Sequence, residues 1–201
     1  MQPDDIRKVL DSVRRRTVSV EAALAKLKSL PFENIGFATL DHHRTLRKGF
    51  PEAIWGEGKT APQIIAIIRN MLRRKHPILV TRVDPAKAAR VKKALPALTY
   101  HPASRLLTLQ PGKSAKRGRG TILVVSAGTS DIPVAEEALV TASLMGNEAD
   151  HLYDVGVAGI HRLMEQKEKL FSASVLIVVA GMEGALPSVV GGMVEKPVIA
   201  V

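Results

Sequence analysis

The apolar positions fall into two grammars that meet near residue 115. After the meeting point short continuous apolar runs alternate with helix-spaced ones. Thr121–Ser126 is a run of the kind expected of a strand buried on both faces, Ser174–Ala180 reads as a core strand, and Ala149–Val155 and Pro197–Val201 can form two more strands. Between them, Ile132–Met145 carries Val134, Ala138, Leu139, Ala142 and Met145 at helical spacing. Gly159–Leu170 and Gly184–Val194 predict two more helices. Strands alternating with helices through short loops predict a doubly wound parallel sheet in three layers.

The first half is less regular. Asp4–Arg15 and Ser19–Leu30 predict amphipathic helices, with Ile6, Val9, Leu10 and Val13 on one face of the first. Ile35–Leu40, Ile78–Arg82 and Arg105–Leu109 predict strands, and Pro62–Arg73 and Ala86–Leu95 predict helices. This segment is read as a smaller basic α/β domain over 1–110, followed by a linker over 111–120 and the parallel α/β domain over 121–201. The linker carries three glycines and four basic residues, so it cannot bury a core face. Its Gly112-Lys113-Ser114 lacks the earlier glycine of a P-loop, because Leu107 stands there.

Charge sharpens the division. The chain has 201 residues and a formal net charge of +10. Residues 1–120 hold 25 Lys and Arg against 9 Asp and Glu, whereas residues 121–201 hold 4 against 10. A basic half suggests an anionic partner, nucleic acid or a phosphorylated small molecule. Only 7 aromatic residues are present, too few for a base-stacking platform, which disfavours nucleic acid. The sequence has no cysteine, so it offers no disulfide, no Cys-ligated zinc and no thiol nucleophile. That fits a cytoplasmic setting. No apolar run approaches the ~18 residues of a membrane span, so no membrane partner is expected.

Ligands of open parallel sheets bind beyond the carboxyl ends of the strands. Three such ends here carry small or polar residues. Ser126-Ala-Gly128-Thr129-Ser130-Asp131 offers hydroxyls and a close backbone approach for a phosphate or ribose, or alternatively a simple helix cap. Asp154-Val-Gly-Val-Ala-Gly-Ile-His161-Arg162 places a proton-transferring His and a phosphate-binding Arg near a helix start. Ala180-Gly181-Met-Glu183-Gly sets an acid in a glycine-rich turn, as a general base, a magnesium contact or a helix cap. In the basic half, Arg44 and Arg47 could clamp phosphate, whereas His42 and His43 point apart on a strand and are not read as metal ligands. Gly56-Glu-Gly-Lys59-Thr60 is a second phosphate-facing turn or a helix cap.

On these residues the second half resembles the aminoimidazole ribonucleotide carboxylase/mutase (PurE) domain, a flavodoxin-like fold. The resemblance rests on Gly128-Thr-Ser130-Asp131, His161-Arg162, Ala180-Gly with Leu186-Pro187, and Pro197-Val-Ile. Asp41-His-His-Arg-Thr-Leu-Arg47-Lys-Gly-Phe-Pro-Glu52 with Gly58-Lys-Thr60 resembles the LarB family of nickel-pincer-nucleotide biosynthesis. The resemblance implies a cytoplasmic carboxylase and hydrolase. It would act on nicotinic acid adenine dinucleotide, carboxylating the pyridinium ring at C5 and splitting the phosphoanhydride to give pyridinium-3,5-biscarboxylic acid mononucleotide and AMP. It implies CO2 or bicarbonate as co-substrate, Mg2+ as cofactor with ligands unassigned, and a homo-oligomer, an octamer in PurE. The family's nucleophile is a cysteine near the C-terminus, which this sequence lacks, so the chain is expected to lack a C-terminal piece and to be inactive as it stands. Ala185 replaces the histidine of the purine enzymes, which favours LarB over the purine-type mutase, the alternative reading. A non-enzymatic nucleic-acid-binding protein is the second alternative. Expected roles are nucleotide binding by Ser126, Gly128, Thr129, Ser130, Asp131, Arg162, Gly181, Arg44 and Arg47, with Glu183, His161 and Asp131 in catalysis.

Overall fold

A computed structural model describes residues 3–28, 32–41, 44, 50, 52–73, 75–111 and 118–201. Helices α1 (Pro3–Arg14) and α2 (Val20–Lys28) come first, then an antiparallel ribbon of β1 (Phe32–Asn34) and β2 (Thr39–Asp41). The run Ile35–Leu40, expected as one strand, is instead the turn of this ribbon and the start of β2. Gly36 adopts φ +91° and the Ile35 amide bonds the Ala38 carbonyl at 2.9 Å, which folds the extended chain back.

The next unit comprises β3 (Ile54–Trp55), α3 (Ala61–Arg73), β4 (Ile78–Thr81), α4 (Pro85–Ala94), β5 (Thr99–His101) and β6 (Leu106–Leu109). Its sheet runs β3-β4-β6-β5, with β3 parallel to β4 and the other pairs antiparallel. α3 buries Ile64, Ile67, Ile68 and Met71, at i, i+3, i+4 and i+7, against Ile54, Ile78, Val80, Val83, Val91 and Leu107. The α4 start combines Pro85 in the first turn with the Asp84 carboxylate, which accepts the Lys87 amide at 2.8 Å.

That cap makes one end of the unit pH-sensitive. The Lys87 amide bond holds the Asp84 carboxyl below its usual range, with Lys87's own charge adding to the effect. A depressed folded value means the cap contributes above the unfolded aspartate value, about 3.9, and is lost as pH falls through the folded one. The exchange protection factor of the Lys87 amide is therefore expected to be constant near neutrality and to fall below about pH 4. Asp84→Ala should show the low value at every pH, measured by NMR.

The second sheet comprises β7 (Thr121–Ser126), β8 (Glu148–Leu152), β9 (Val175–Val179) and β10 (Val198–Ala200), all parallel, in the order β8-β7-β9-β10. This is the flavodoxin-like order, and the expected α/β class is the one found. α5 (Ile132–Leu144) covers one face, and α6 (Ile160–Glu165), α7 (Lys167–Ser172) and α8 (Ala185–Met193) the other. The two-residue strand period divides the core accordingly. Leu123, Val125, Leu176 and Val178 pack with Leu163, Leu170, Leu186 and Val190, whereas Val124 and Val179 pack with Ala135. The helix expected over Gly159–Leu170 is two helices. Gln166 leaves helical geometry (φ −103°, ψ 17°), and its amide bonds the Leu163 carbonyl three residues back, closing α6. Among the described residues no helix is long and apolar enough to cross a membrane.

Candidate functional site

In the order β8-β7-β9-β10 the chain leaves β7 toward one side and later returns to build β9 on the other. The crevice between the carboxyl ends of β7 and β9 is thus the switch point of the sheet, where ligands of such folds bind. The residues bordering it are Ala127–Asp131 and Ala180–Gly184, with the β8 loop Tyr153–Gly159 alongside.

Asp131 ties the first two loops together. Its Oδ2 accepts the Gly128 amide at 2.8 Å and its Oδ1 accepts the Gly181 amide at 3.1 Å, fifty residues away. Asp131 makes no side-chain cap to α5, but its bond to the Gly128 amide caps the short 3-10 turn Thr129–Asp131 in front of that helix, and its bond to Gly181 adds a loop-to-loop clamp. Gly181 allows the approach, since a Cβ there would lie 3.2 Å from Asp131 Oδ1.

A second set of bonds joins the β7 and β8 ends. Ser126 is fully buried, and its hydroxyl accepts the Asp154 amide at 3.4 Å while its carbonyl accepts the Val155 amide at 3.1 Å. Ser126 therefore supports the loops from beneath. Asp154 sits in left-handed backbone (φ +59°), a conformation Asp tolerates better than most residues, and its Oδ2 accepts a bond from Arg162 Nη1 at 2.6 Å. Gly159 leaves room for that guanidinium, because a Cβ there would stand 2.7 Å from Arg162 Nε.

The remaining expected residues are placed as follows. Thr129, Ser130, His161, Gly181 and Glu183 are exposed, while Gly128, Asp131 and Arg162 are half-buried. Glu183 is not the helix cap of α8; Gly184, at φ +64°, takes that position. Arg44 is exposed, and Arg47, His42, His43 and Gly112–Ser114 lie outside the described residues. Lys59 and Thr60 precede α3, where Thr60 and Gln63 form a reciprocal cap. The Thr60 amide donates to Gln63 Oε1 at 2.9 Å, and the Gln63 amide donates to Thr60 Oγ1 at 3.4 Å.

Two residues to which the sequence assigns no role stand beside the crevice. Asp154 is the partner of Arg162, and its only sequence signal is an acid eight positions earlier in a glycine-rich loop. Tyr153 donates its hydroxyl to Glu136 Oε1 at 2.9 Å, and burial together with that carboxylate pushes its phenol well up. Among the described residues no group of three or more His, Asp or Glu could hold a metal ion. A magnesium ion commonly takes only one or two protein carboxylates and completes its shell with water and substrate phosphate, so Glu183 alone would suffice as the protein oxygen.

The Asp154–Arg162 pair carries its own expectation. Both side chains are about half exposed, so the pair is worth roughly 0.5–1 kcal/mol. Asp154→Ala should lower the stability of the folded chain by at least that amount, since Ala tolerates the left-handed backbone less well, measured by urea unfolding. Asp154→Asn keeps tolerance of the left-handed backbone and should lose less.

The family described as LarB/PurE-like N-terminal domain matches residues 32–111. An uncharacterized protein of Methanocaldococcus jannaschii is 35% identical over 205 residues, which covers 98% of this chain and 80% of that protein. The N5-carboxyaminoimidazole ribonucleotide mutase of the same organism is 37% identical over 83 residues, covering 40% of this chain and 50% of the mutase.

Proposed function

This chain belongs to the LarB/PurE-like family, and from that membership we propose that it serves a carboxylase/mutase-type reaction on nicotinic acid adenine dinucleotide. The reaction carboxylates the pyridinium ring at C5 with CO2 or bicarbonate and hydrolyses the phosphoanhydride, yielding pyridinium-3,5-biscarboxylic acid mononucleotide and AMP. The observation that carries the reading is the switch-point crevice, whose two bordering loops are held at a fixed separation by the Asp131 carboxylate.

The roles follow from the placement. Thr129 and Ser130 present hydroxyls to a ribose or phosphate at the crevice mouth. Arg162, aimed by Asp154, meets the substrate carboxylate or a phosphate oxygen, since a planar guanidinium suits either bidentately. His161 exchanges a proton with the bound ligand or the hydrolytic water. Glu183 would be the protein oxygen for Mg2+, which supplies charge neutralisation to the phosphoanhydride. A pyridinium carbon is too electron-poor to attack CO2 unaided, so a nucleophile must first add to the ring. No cysteine is present among the 201 residues. The chain's own groups therefore bind and orient the dinucleotide, and a thiol adduct lies outside its chemistry.

The similarity to the mutase favours a purine-type reaction as the second reading. Ala185 weighs against it, because the resemblance implies a histidine at that turn. Homo-oligomer formation belongs to the same proposal. It rests on the resemblance alone.

Calorimetry with the two substrates separates the readings. The dinucleotide is expected to bind, aminoimidazole ribonucleotide is not, and mass spectrometry with bicarbonate and Mg2+ should find no biscarboxylated product from the 201-residue chain. Binding of aminoimidazole ribonucleotide alone would overturn the substrate assignment. Product from this chain would show that a residue other than cysteine serves as nucleophile.

A further inference from the structure

The first sheet unit holds a cavity of 320 Å³ that the reading above does not use. Its floor is apolar, made by Ile54, Ile67 and Met71, each at most 4% exposed. At its mouth stand Phe37 and Trp55, 50% and 53% exposed. Two large aromatic side chains held half in water beside one cavity forgo much of the burial that normally stabilises them. Trp55 is the only tryptophan in the sequence, and it lies on the edge strand β3.

The wall behind Trp55 is built rigidly. Gly58 lies against the indole, where a Cβ would stand 3.4 Å from Cζ3. The loop that carries Gly58 is pinned at its start by the Gly56 amide on the Thr81 carbonyl at 2.8 Å. Lys87 Nζ then donates to the Gly56 and Glu57 carbonyls at 2.8 and 3.2 Å. The same loop presents Lys59 to the cavity, and no carboxylate pairs with Lys59 among the described residues. Glu52 lines the cavity as well, and one of its oxygens accepts the Asp41 amide at 3.4 Å, leaving acceptor capacity on the carboxylate.

We propose that this cavity is a binding site for an amino-purine nucleoside 5′-phosphate. The chemistry selects that class. Aromatic faces over an apolar floor take a flat base, because every base has a π-face to stack. Glu52 accepts the exocyclic amine, and Lys59 supplies the point charge for phosphate. The volume falls at the lower end of small-ligand pockets, about 300–1,000 Å³, which suits a mononucleotide. The site is separate from the β7–β9 crevice and does not depend on the reading given to it. The same nucleotide chemistry could come from a free mononucleotide or from the nucleotide half of a dinucleotide.

The protein carries its own probe. AMP titrated into the full chain, with Trp55 excited beyond adenine absorption, should quench the fluorescence saturably, and ribose 5-phosphate should not. Lys59→Ala should raise the AMP midpoint by about 10-fold, as expected for loss of a charged hydrogen bond. Quenching by AMP without quenching by nicotinic acid adenine dinucleotide assigns the site to free nucleotide. Quenching by nicotinic acid adenine dinucleotide that vanishes in Asp131→Ala assigns it to the dinucleotide's distal half. Unchanged Trp55 fluorescence with both AMP and the dinucleotide would overturn the proposal, whatever calorimetry shows for the crevice. Equal quenching by ribose 5-phosphate would overturn the base-stacking part of it. The wild-type titration needs no variant to fold.

Discussion

Asp131→Ala is expected to weaken binding of nicotinic acid adenine dinucleotide by about 10-fold or more, with the fold retained. The carboxylate takes one backbone amide from each crevice loop, Gly128 on one side and Gly181 on the other. Hydrogen bonds to a charged group are worth roughly 1.5–3 kcal/mol, and 1.4 kcal/mol is a factor of ten in affinity. Removing the side chain leaves both amides without that acceptor and frees the loops to part. Asp131→Asn is nearly as damaging by the same argument. Its one amide oxygen can serve one loop, while its NH2 meets the donor of the other. Calorimetry on both variants, with circular dichroism as the fold control, checks this. Unchanged affinity in both would remove the clamp from the binding account.

Leu176→Ala should cost about 2–5 kcal/mol of stability. Leu176 is fully buried on β9, in one core with Leu123, Leu163, Leu170 and Leu186. That cluster shares no residue with the core beneath α3, where Ile64 and Ile68 are equally buried. We propose that the two cores belong to separately folding domains. Urea unfolding followed by circular dichroism should then lose stability in Leu176→Ala, while the Trp55 fluorescence transition, which reports the first core, stays in place. Coincident shifts in both signals would show one cooperative unit.

The two central strands of the parallel sheet were legible because helices cover both of their faces. Ile122–Val125 and Val175–Val179 are unbroken apolar runs, and a strand covered by helices on both faces needs no polar side. β3 and β5 were not legible. Two or three residues such as Ile54–Trp55 and Thr99–His101 carry no period, and they become strands only through pairing with β4 and β6. The hairpin of β1 and β2 was hidden because Gly36 sits inside an otherwise extended apolar run.

At the candidate site the sequence yields the loops but not the bonding within them. Ser126 reads as a ligand hydroxyl, yet it lies beneath the crevice, because the last residue of a central strand remains in the core. Asp131 reads as a helix cap or a ligand group, and its partner Gly181 is fifty positions on, beyond any local spacing rule. Asp154 reads only as the first residue of its loop, because its role depends on Arg162 and on a left-handed backbone that no motif advertises.

The central claim is that the dinucleotide sits at the β7–β9 switch point. Hydrogen–deuterium exchange of the full chain, with and without saturating nicotinic acid adenine dinucleotide, tests it directly. Exchange should slow in the loops Ala127–Asp131 and Ala180–Gly184 together, because the ligand bridges them and the Asp131 clamp tightens. Unchanged exchange in both loops at saturation would contradict it.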